Sequence, residues 1–290
     1  MDLPDLPCYL NGEYLPLPEA RISPMDRGFL FGDGVYDALP VYGRRAFRFD
    51  AHMERLDHGL AKLRIANPLT RADWLTMVRK LIATLPEENQ LVYVQVTRGV
   101  APRKHPMPPD IEPTVFAYTS PLAGVPEADR HHGVACVTAR DFRWERCDIK
   151  SISLLGNVLA RQLAVDAGAA ETILLRDGFL TEASSANVWI VKEGALLGPP
   201  MSEHVLPGVR VGLLKELCEE CGIGYNLRPI SEAELFAADE VLISSAGREV
   251  LAVTTLDHEP IGHGALRGKP GPVYARLYEA YQKAKLTQSV

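Results

Sequence analysis

Two residues in the middle of the chain have side chains able to do chemistry together: Lys150, set between Ile149 and Ser151 in RWERCDIKSISLLGN, and Glu182, a helix and a strand later in TEASSAN. A lysine withdrawn from water holds its proton less firmly, becomes a nucleophile and forms a Schiff base with a carbonyl compound. A carboxylate beside a heterocyclic nitrogen keeps that nitrogen protonated, so the ring accepts the electrons released when a substrate loses a proton. Spacing alone leaves a second reading open, in which Lys150 is a solvated lysine and Glu182 an ordinary hairpin carboxylate.

The elements around the pair are those that can bring it together. After Lys150, the apolar positions Leu155, Val158, Leu159 and Leu163 recur at helical spacing and the run ends at Gly168. A hairpin follows, from Glu171 to Leu175, through a turn at Arg176-Asp177-Gly178, and outward again from Phe179, so the chain doubles back and carries Glu182 with it.

The rest of the chain is consistent with α+β. CYLNGEYL holds an Asn-Gly hairpin signal, and GVYDALPVY and RRAFRF read as strands about a turn at Gly43. AHMERLDHGLAKLRI places Met53, Leu56, Leu60 and Leu63 on one helix face, and Thr70 opens a second helix three residues before Asp73. Strands LVYVQVTRG and TVFAYTS come next. The stretch Pro121 to Gly133 is rich in proline, glycine and charge and reads as an interdomain linker. The expected division is thus a small domain over 1–120, a linker over 121–133, and a larger domain over 134–290 that carries Lys150. Within the last, a helix runs from about Arg210 to Cys221, strands lie near Asp239 to Ser244 and Val250 to Thr255, and a final helix follows Pro272. Strands and helices without strict alternation argue for mainly antiparallel pairing.

Composition narrows the function. The chain has 290 residues, 47% of them hydrophobic, enough for two modest domains with cores. A formal net charge of −6 argues against nucleic acid or an anionic membrane surface as the main partner. No apolar run approaches the roughly 18 residues a membrane span needs, and the opening MDLPDLPCYL lacks a basic region ahead of an apolar one, so a cytoplasmic location is expected. Cys8, Cys136, Cys147, Cys218 and Cys221 are odd in number and scattered, unlike a disulfide framework. Cys218 and Cys221 form a C-x-x-C with no second ligand pair, so they read as helix packing and no metal is expected.

The run RCDIKSISLLGNVLARQ followed by TEASSANV resembles the cofactor-lysine and pyridinium-glutamate motifs of the class IV (fold type IV) pyridoxal-phosphate aminotransferases. DRGFLFGDGVYD, from Asp26 to Asp37, and VYVQVTRGVAPRKH, from Val92 to His105, are similar to the D-amino acid transaminase branch, and the likeness extends over nearly the whole chain. It implies a two-domain architecture with pyridoxal 5′-phosphate at the domain interface, Lys150 as its attachment point and catalytic base, and Glu182 at the ring nitrogen. It implies Arg55 for the phosphate, where a solvated helix arginine is the plainer reading. The second phosphate element would be the helix start in LPGVRVGLL, through the Val209 and Arg210 amides. Where the family commonly has hydroxyls, this chain has Arg210 and Gly247. Ser185 is a further cofactor contact or a turn hydroxyl, with equal warrant. Tyr36, Arg103 and His105 match the branch's trap for the substrate carboxylate, against the plain readings of a core tyrosine and a solvated loop. Arg103 and His105 would serve the neighbouring subunit's site, which implies a homodimer. The expected substrates are D-amino acids such as D-alanine, with a 2-oxo acid such as 2-oxoglutarate as acceptor. The competing readings are a branched-chain L-amino acid transaminase, an aminodeoxychorismate lyase, and a non-catalytic carrier of the cofactor.

Overall fold

In the computed structural model, which describes residues 6–290, the chain separates into two units. The first comprises Met1–Ala123, Ile149–Leu154 and Lys285–Val290, and the second Gly124–Asp148 and Leu155–Ala284. Residues 1–5 of the opening read above for a leader lie outside the described residues.

The first unit holds one six-stranded antiparallel sheet, packed with the α-helices described below. Strands β1 (Pro7–Leu10) and β2 (Glu13–Pro16) turn at Asn11-Gly12, both at positive φ, as an Asn-Gly hairpin demands. The short helix α1 (Arg27–Phe31) is capped by Asp26, whose carboxylate accepts from the Gly28 amide. Next come β3 (Gly34–Tyr42), β4 (Arg45–Ala46), α2 (Phe49–Leu63), α3 (Arg71–Thr84), β5 (Gln90–Thr97) and β6 (Thr114–Pro121). Thr70 and Asp73 close a reciprocal capping box on α3. The strand order is β2-β1-β6-β5-β3-β4. Met53, Leu56 and Leu60 of α2 and Trp74, Met77, Val78 and Leu81 of α3 bury against Val35, Leu39, Val92, Val94 and Val96 of the sheet.

The second unit starts with α4 (Glu127–His132), so part of the stretch expected to be linker is helical. Then follow β7 (Val134–Arg140), α5 (Leu155–Asp166), β8 (Glu171–Arg176), β9 (Phe179–Ala183), β10 (Asn187–Lys192), β11 (Ala195–Gly198) and α6 (Val209–Cys221). The chain ends with β12 (Tyr225–Leu227), α7 (Glu232–Phe236), β13 (Glu240–Ser245), β14 (Glu249–Leu256), β15 (Glu259–Pro260) and α8 (Pro272–Thr287). Its sheet runs β12-β11-β10-β13-β14-β7-β8-β9, with β15 on β14. Pairing is antiparallel except at β11·β12, β14·β7 and β7·β8. The core is an aliphatic layer including Ile173, Val188, Ile190, Val241, Ile243, Leu251 and Val253.

Two local outcomes differ from simple pattern reading. Residues 149–154 group with the first unit, because the Lys150 carbonyl accepts from the Tyr36 amide at 3.0 Å, the Ile152 amide donates to the Gly34 carbonyl at 3.1 Å, and Ser151 bridges to Val35. The segment thus lies antiparallel along the start of β3. Helix α5 also buries the opposite face from the one its leucines mark. Ala160 and Ala164 are its buried residues, whereas Leu155, Val158, Leu159 and Leu163 are exposed.

Candidate active site

Lys150 and Tyr36 are brought together within the first unit, by the strand-like pairing of 149–152 with β3. Ile149 is buried in the sheet–helix core, which anchors the segment, and Lys150 is half-buried beside it. Its Nζ donates to Tyr36 Oη at 3.2 Å and stands 4.2 Å from the tyrosine ring centroid. Tyr36 is steadied by Tyr93 on β5, its cross-strand diagonal neighbour, with the rings stacked 5.6 Å apart at 26°. Burial, with Tyr36 and Tyr118 adding to it, pushes the Tyr93 hydroxyl well above the ordinary phenol value, and that hydroxyl donates to Gln95 Oε1 at 2.8 Å. Gly34 opens the strand where a side chain would meet the Val96 carbonyl oxygen at 2.6 Å, so only glycine lets the chain pass there.

Alternation along β3 turns Asp37 to the other face, toward α2. Asp37 is fully buried and accepts from Arg55 Nε at 2.9 Å, Arg55 Nη2 at 2.8 Å and His52 Nδ1 at 2.7 Å. Burial alone would raise its carboxyl, but the charges and hydrogen bonds of Arg55 and His52 hold it far below the usual range. Arg55 is therefore gripped by two of its N–H edges, and its Nη1 has no partner among the described residues. Arg103 and His105 lie on the exposed loop after β5, both against Phe31 of α1, and no hydrogen bond joins them to Tyr36 or Lys150 among the described residues.

Glu182 sits near the end of β9 in the second unit and is 5% exposed. Its Oε1 accepts from Arg143 Nη1 at 2.5 Å, and its Oε2 accepts from the Leu206 amide at 3.0 Å and Asn187 Nδ2 at 3.4 Å. Arg143 is itself forked onto Asp141, Nε to Oδ1 at 3.0 Å and Nη2 to Oδ2 at 2.9 Å. Although burial opposes its charge, hydrogen bonds and charge from Asp141 and Glu182 raise Arg143 further above its ordinary value, and Asp141 is held below its own. Glu182 is thus a buried carboxylate with donors on both oxygens and a fixed cation behind one. Ser185 is exposed at the turn after β9, and its hydroxyl donates to Glu171 Oε2 at 2.6 Å.

Val209 and Arg210 are the first two residues of α6, which begins after Gly208 with no side-chain cap on its N-terminus. A side chain at Gly208 would strike Asn187 Oδ1, so the helix start is pressed against the residue that also contacts Glu182. Arg210 directs its own side chain inward, Nε donating to Tyr281 Oη at 3.2 Å. Gly247 lies in the β13–β14 turn, and a β-carbon there would have nothing within 4 Å.

These groups fit pyridoxal phosphate on their chemistry. An uncapped helix N-terminus and an arginine with one unused N–H edge suit a phosphate, a half-buried lysine suits an aldehyde, and a buried, donor-supported carboxylate suits a pyridinium. Sequence reasoning did not reach Asp37, His52, Asp141, Arg143 or Asn187. Three of them stood inside runs already singled out, Asp37 at the end of DRGFLFGDGVYD, Arg143 seven positions before Lys150 and Asn187 in TEASSANV, whereas nothing local marked His52 or Asp141.

The amino-transferase class IV family model matches residues 34–256. The D-alanine aminotransferase of Bacillus licheniformis is 38% identical over 279 residues, covering 96% of this chain and 97% of that protein. The D-alanine aminotransferase of Staphylococcus haemolyticus is 36% identical over 276 residues, covering 95% and 96%. In fold, the chain is similar to the branched-chain amino acid aminotransferase from Escherichia coli, with a TM-score of 0.86 at 22% identity over 96% of this chain and 94% of that one.

Proposed function

Since the chain belongs to the class IV aminotransferases, we propose that it is a pyridoxal-phosphate transaminase that takes the amino group from a D-amino acid such as D-alanine and passes it to a 2-oxo acid such as 2-oxoglutarate. The observation that carries this reading is the Lys150 Nζ held 3.2 Å from Tyr36 Oη, an amine placed beside a residue of the carboxylate trap. The two D-alanine aminotransferases, alike over nearly their whole length, support the choice of substrate hand.

When bound, the cofactor supplies an aldehyde for attachment and a ring that accepts electrons. Lys150 Nζ would be the attachment point for that aldehyde and the base that takes the proton from the substrate's α carbon. Glu182 holds a proton on the ring nitrogen, its charge kept in place by Arg143, Asn187 and the Leu206 amide. Arg55 Nη1 and the Val209 and Arg210 amides bind the phosphate, and Ser185 is a lesser cofactor contact. Tyr36, together with Arg103 and His105 of a second copy of the chain, binds the substrate carboxylate and so decides which face of the α carbon meets the lysine.

A homodimer is part of this reading. Leu155, Val158, Leu159 and Leu163 form an exposed apolar stripe on α5, the kind of surface that association buries. The test is amino transfer with 2-oxoglutarate as acceptor. Pyruvate released from D-alanine but no keto acid from L-leucine is the expected result, and the reverse would move the enzyme to the branched-chain reading.

A further inference from the structure

The loop that carries Arg103 and His105 has little to hold it. Residues 102–112 form no helix or strand, and Pro102, Pro106, Pro108 and Pro109 have no N–H to donate. Among the described residues, the hydrogen bonds that reach this stretch come from one side chain: Arg27 Nη1 donates to the Lys104 carbonyl at 2.6 Å and Nη2 to the His105 carbonyl at 3.3 Å. Arg27 is the first residue of α1 and is 4% exposed.

Its position is fixed from behind. Arg27 Nε donates to Asp33 Oδ2 at 2.7 Å, and Arg98 grips the same carboxylate from the other side, through Nε at 2.8 Å and Nη2 at 3.0 Å. Arg98 Nη2 also donates to the Leu63 carbonyl at the end of α2, at 2.7 Å. Burial would raise the Asp33 carboxyl, but the two arginines hold it below the ordinary value, so the anchor is charged at neutral pH. Phe31, which closes α1, completes the support: its ring lies 4.8 Å from the Arg27 guanidinium, 5.4 Å from that of Arg103 and 5.5 Å from the His105 ring.

We infer that Arg27 is a positioning residue for recognition of the substrate carboxylate: it fixes the backbone at Lys104 and His105 and, with Phe31, the direction of Arg103 and His105, without touching substrate. The inference rests on the carboxylate-trap role of those two residues. A loop without ladder bonds samples many arrangements unless something orders it beforehand, and otherwise the substrate itself must bear the ordering cost. A buried forked guanidinium supplies the order, because its planar donors meet two successive carbonyls while a third edge stays on Asp33. Removing it leaves Asp33 still clamped by Arg98, so the fold survives the change.

The test compares Arg27→Met, Arg27→Lys and Arg103→Ala in the cofactor-loaded enzyme. It reads KM and kcat for D-alanine, competitive inhibition by propionate, and thermal stability. Arg27→Met should raise KM and the propionate inhibition constant about tenfold, the loss of one to two charge-assisted hydrogen bonds, with kcat held within about twofold. Arg27→Lys, which can keep one carbonyl, should fall between. A raised KM in Arg103→Ala beside an unchanged one in Arg27→Met overturns the positioning role alone. An unchanged KM in Arg103→Ala overturns the trap reading and this inference with it. A fall in kcat and thermal stability without the KM shift makes Arg27 merely structural and also overturns it.

Discussion

Buried carboxylates paired with arginine recur in the candidate machinery. Arg143 divides its guanidinium between Asp141 and Glu182, so replacing it by lysine, a point charge that cannot fork, should leave Glu182 poorly held. Arg143→Lys is expected to lower kcat about tenfold with KM for D-alanine nearly unchanged, since the interaction lost acts on the ring and not on substrate binding. Steady-state kinetics check this, and a change confined to KM would refute it. Gly247 offers the complementary gain. There is open space for a side chain there, so Gly247→Thr should add a hydroxyl toward the phosphate and tighten cofactor binding about fivefold, the worth of roughly 1 kcal/mol. Equilibrium dialysis measures it, and an unchanged dissociation constant would place that turn away from the phosphate. At this scale the sequence names motif residues but not their supports. Tyr36 and Lys150 meet across more than a hundred positions, and Asp37, His52 and Arg55 meet across a strand and a helix, pairings that no local periodicity encodes.

Strands and helices were legible where local chemistry is strong. The Asn11-Gly12 turn, the Thr70–Asp73 box and the Asp177-Gly178 turn all stand where sequence reading puts them, because each depends on neighbours a few residues apart. Helix α5 was legible as a helix but not in its orientation: periodicity tells that an apolar face exists, not what covers it, and here two alanines face the sheet while four larger residues face outward. The α2–β3 contact carries a pH dependence of its own. Asp37 is depressed in the folded state, so its contribution is fully present above the unfolded carboxylate value of about 3.9 and is lost as pH falls toward the folded value. Asp33 and Asp141 are shifted the same way. Denaturant midpoints should therefore stay level from about pH 7 to 5 and fall below about pH 4. Asp37→Asn should be less stable at neutral pH, because Arg55 loses its partner, yet show a shallower acid slope, and an unaltered slope would contradict that origin.

For the whole molecule, the fold family was readable because several long motifs stand in order along the chain, and the class IV match over residues 34–256 agrees. What the sequence did not tell was that residues 149–154 leave the second unit's run of chain to lie along β3, which depends on backbone pairing between distant segments. Assembly belongs to this scale too. On the proposed homodimer, Leu159→Glu puts a charge in the middle of the exposed α5 stripe and should halve the sedimenting mass. It should also weaken D-alanine binding, because Arg103 and His105 would no longer be supplied by a partner. An undiminished mass would take α5 out of the interface. The most direct test of the central claim is the absorbance spectrum of the cofactor-loaded protein, followed after addition of D-alanine alone and, separately, of L-leucine alone. The cofactor band should convert to the amine form with D-alanine and stay in place with L-leucine. Conversion by L-leucine only, or a band that neither amino acid moves, would contradict it.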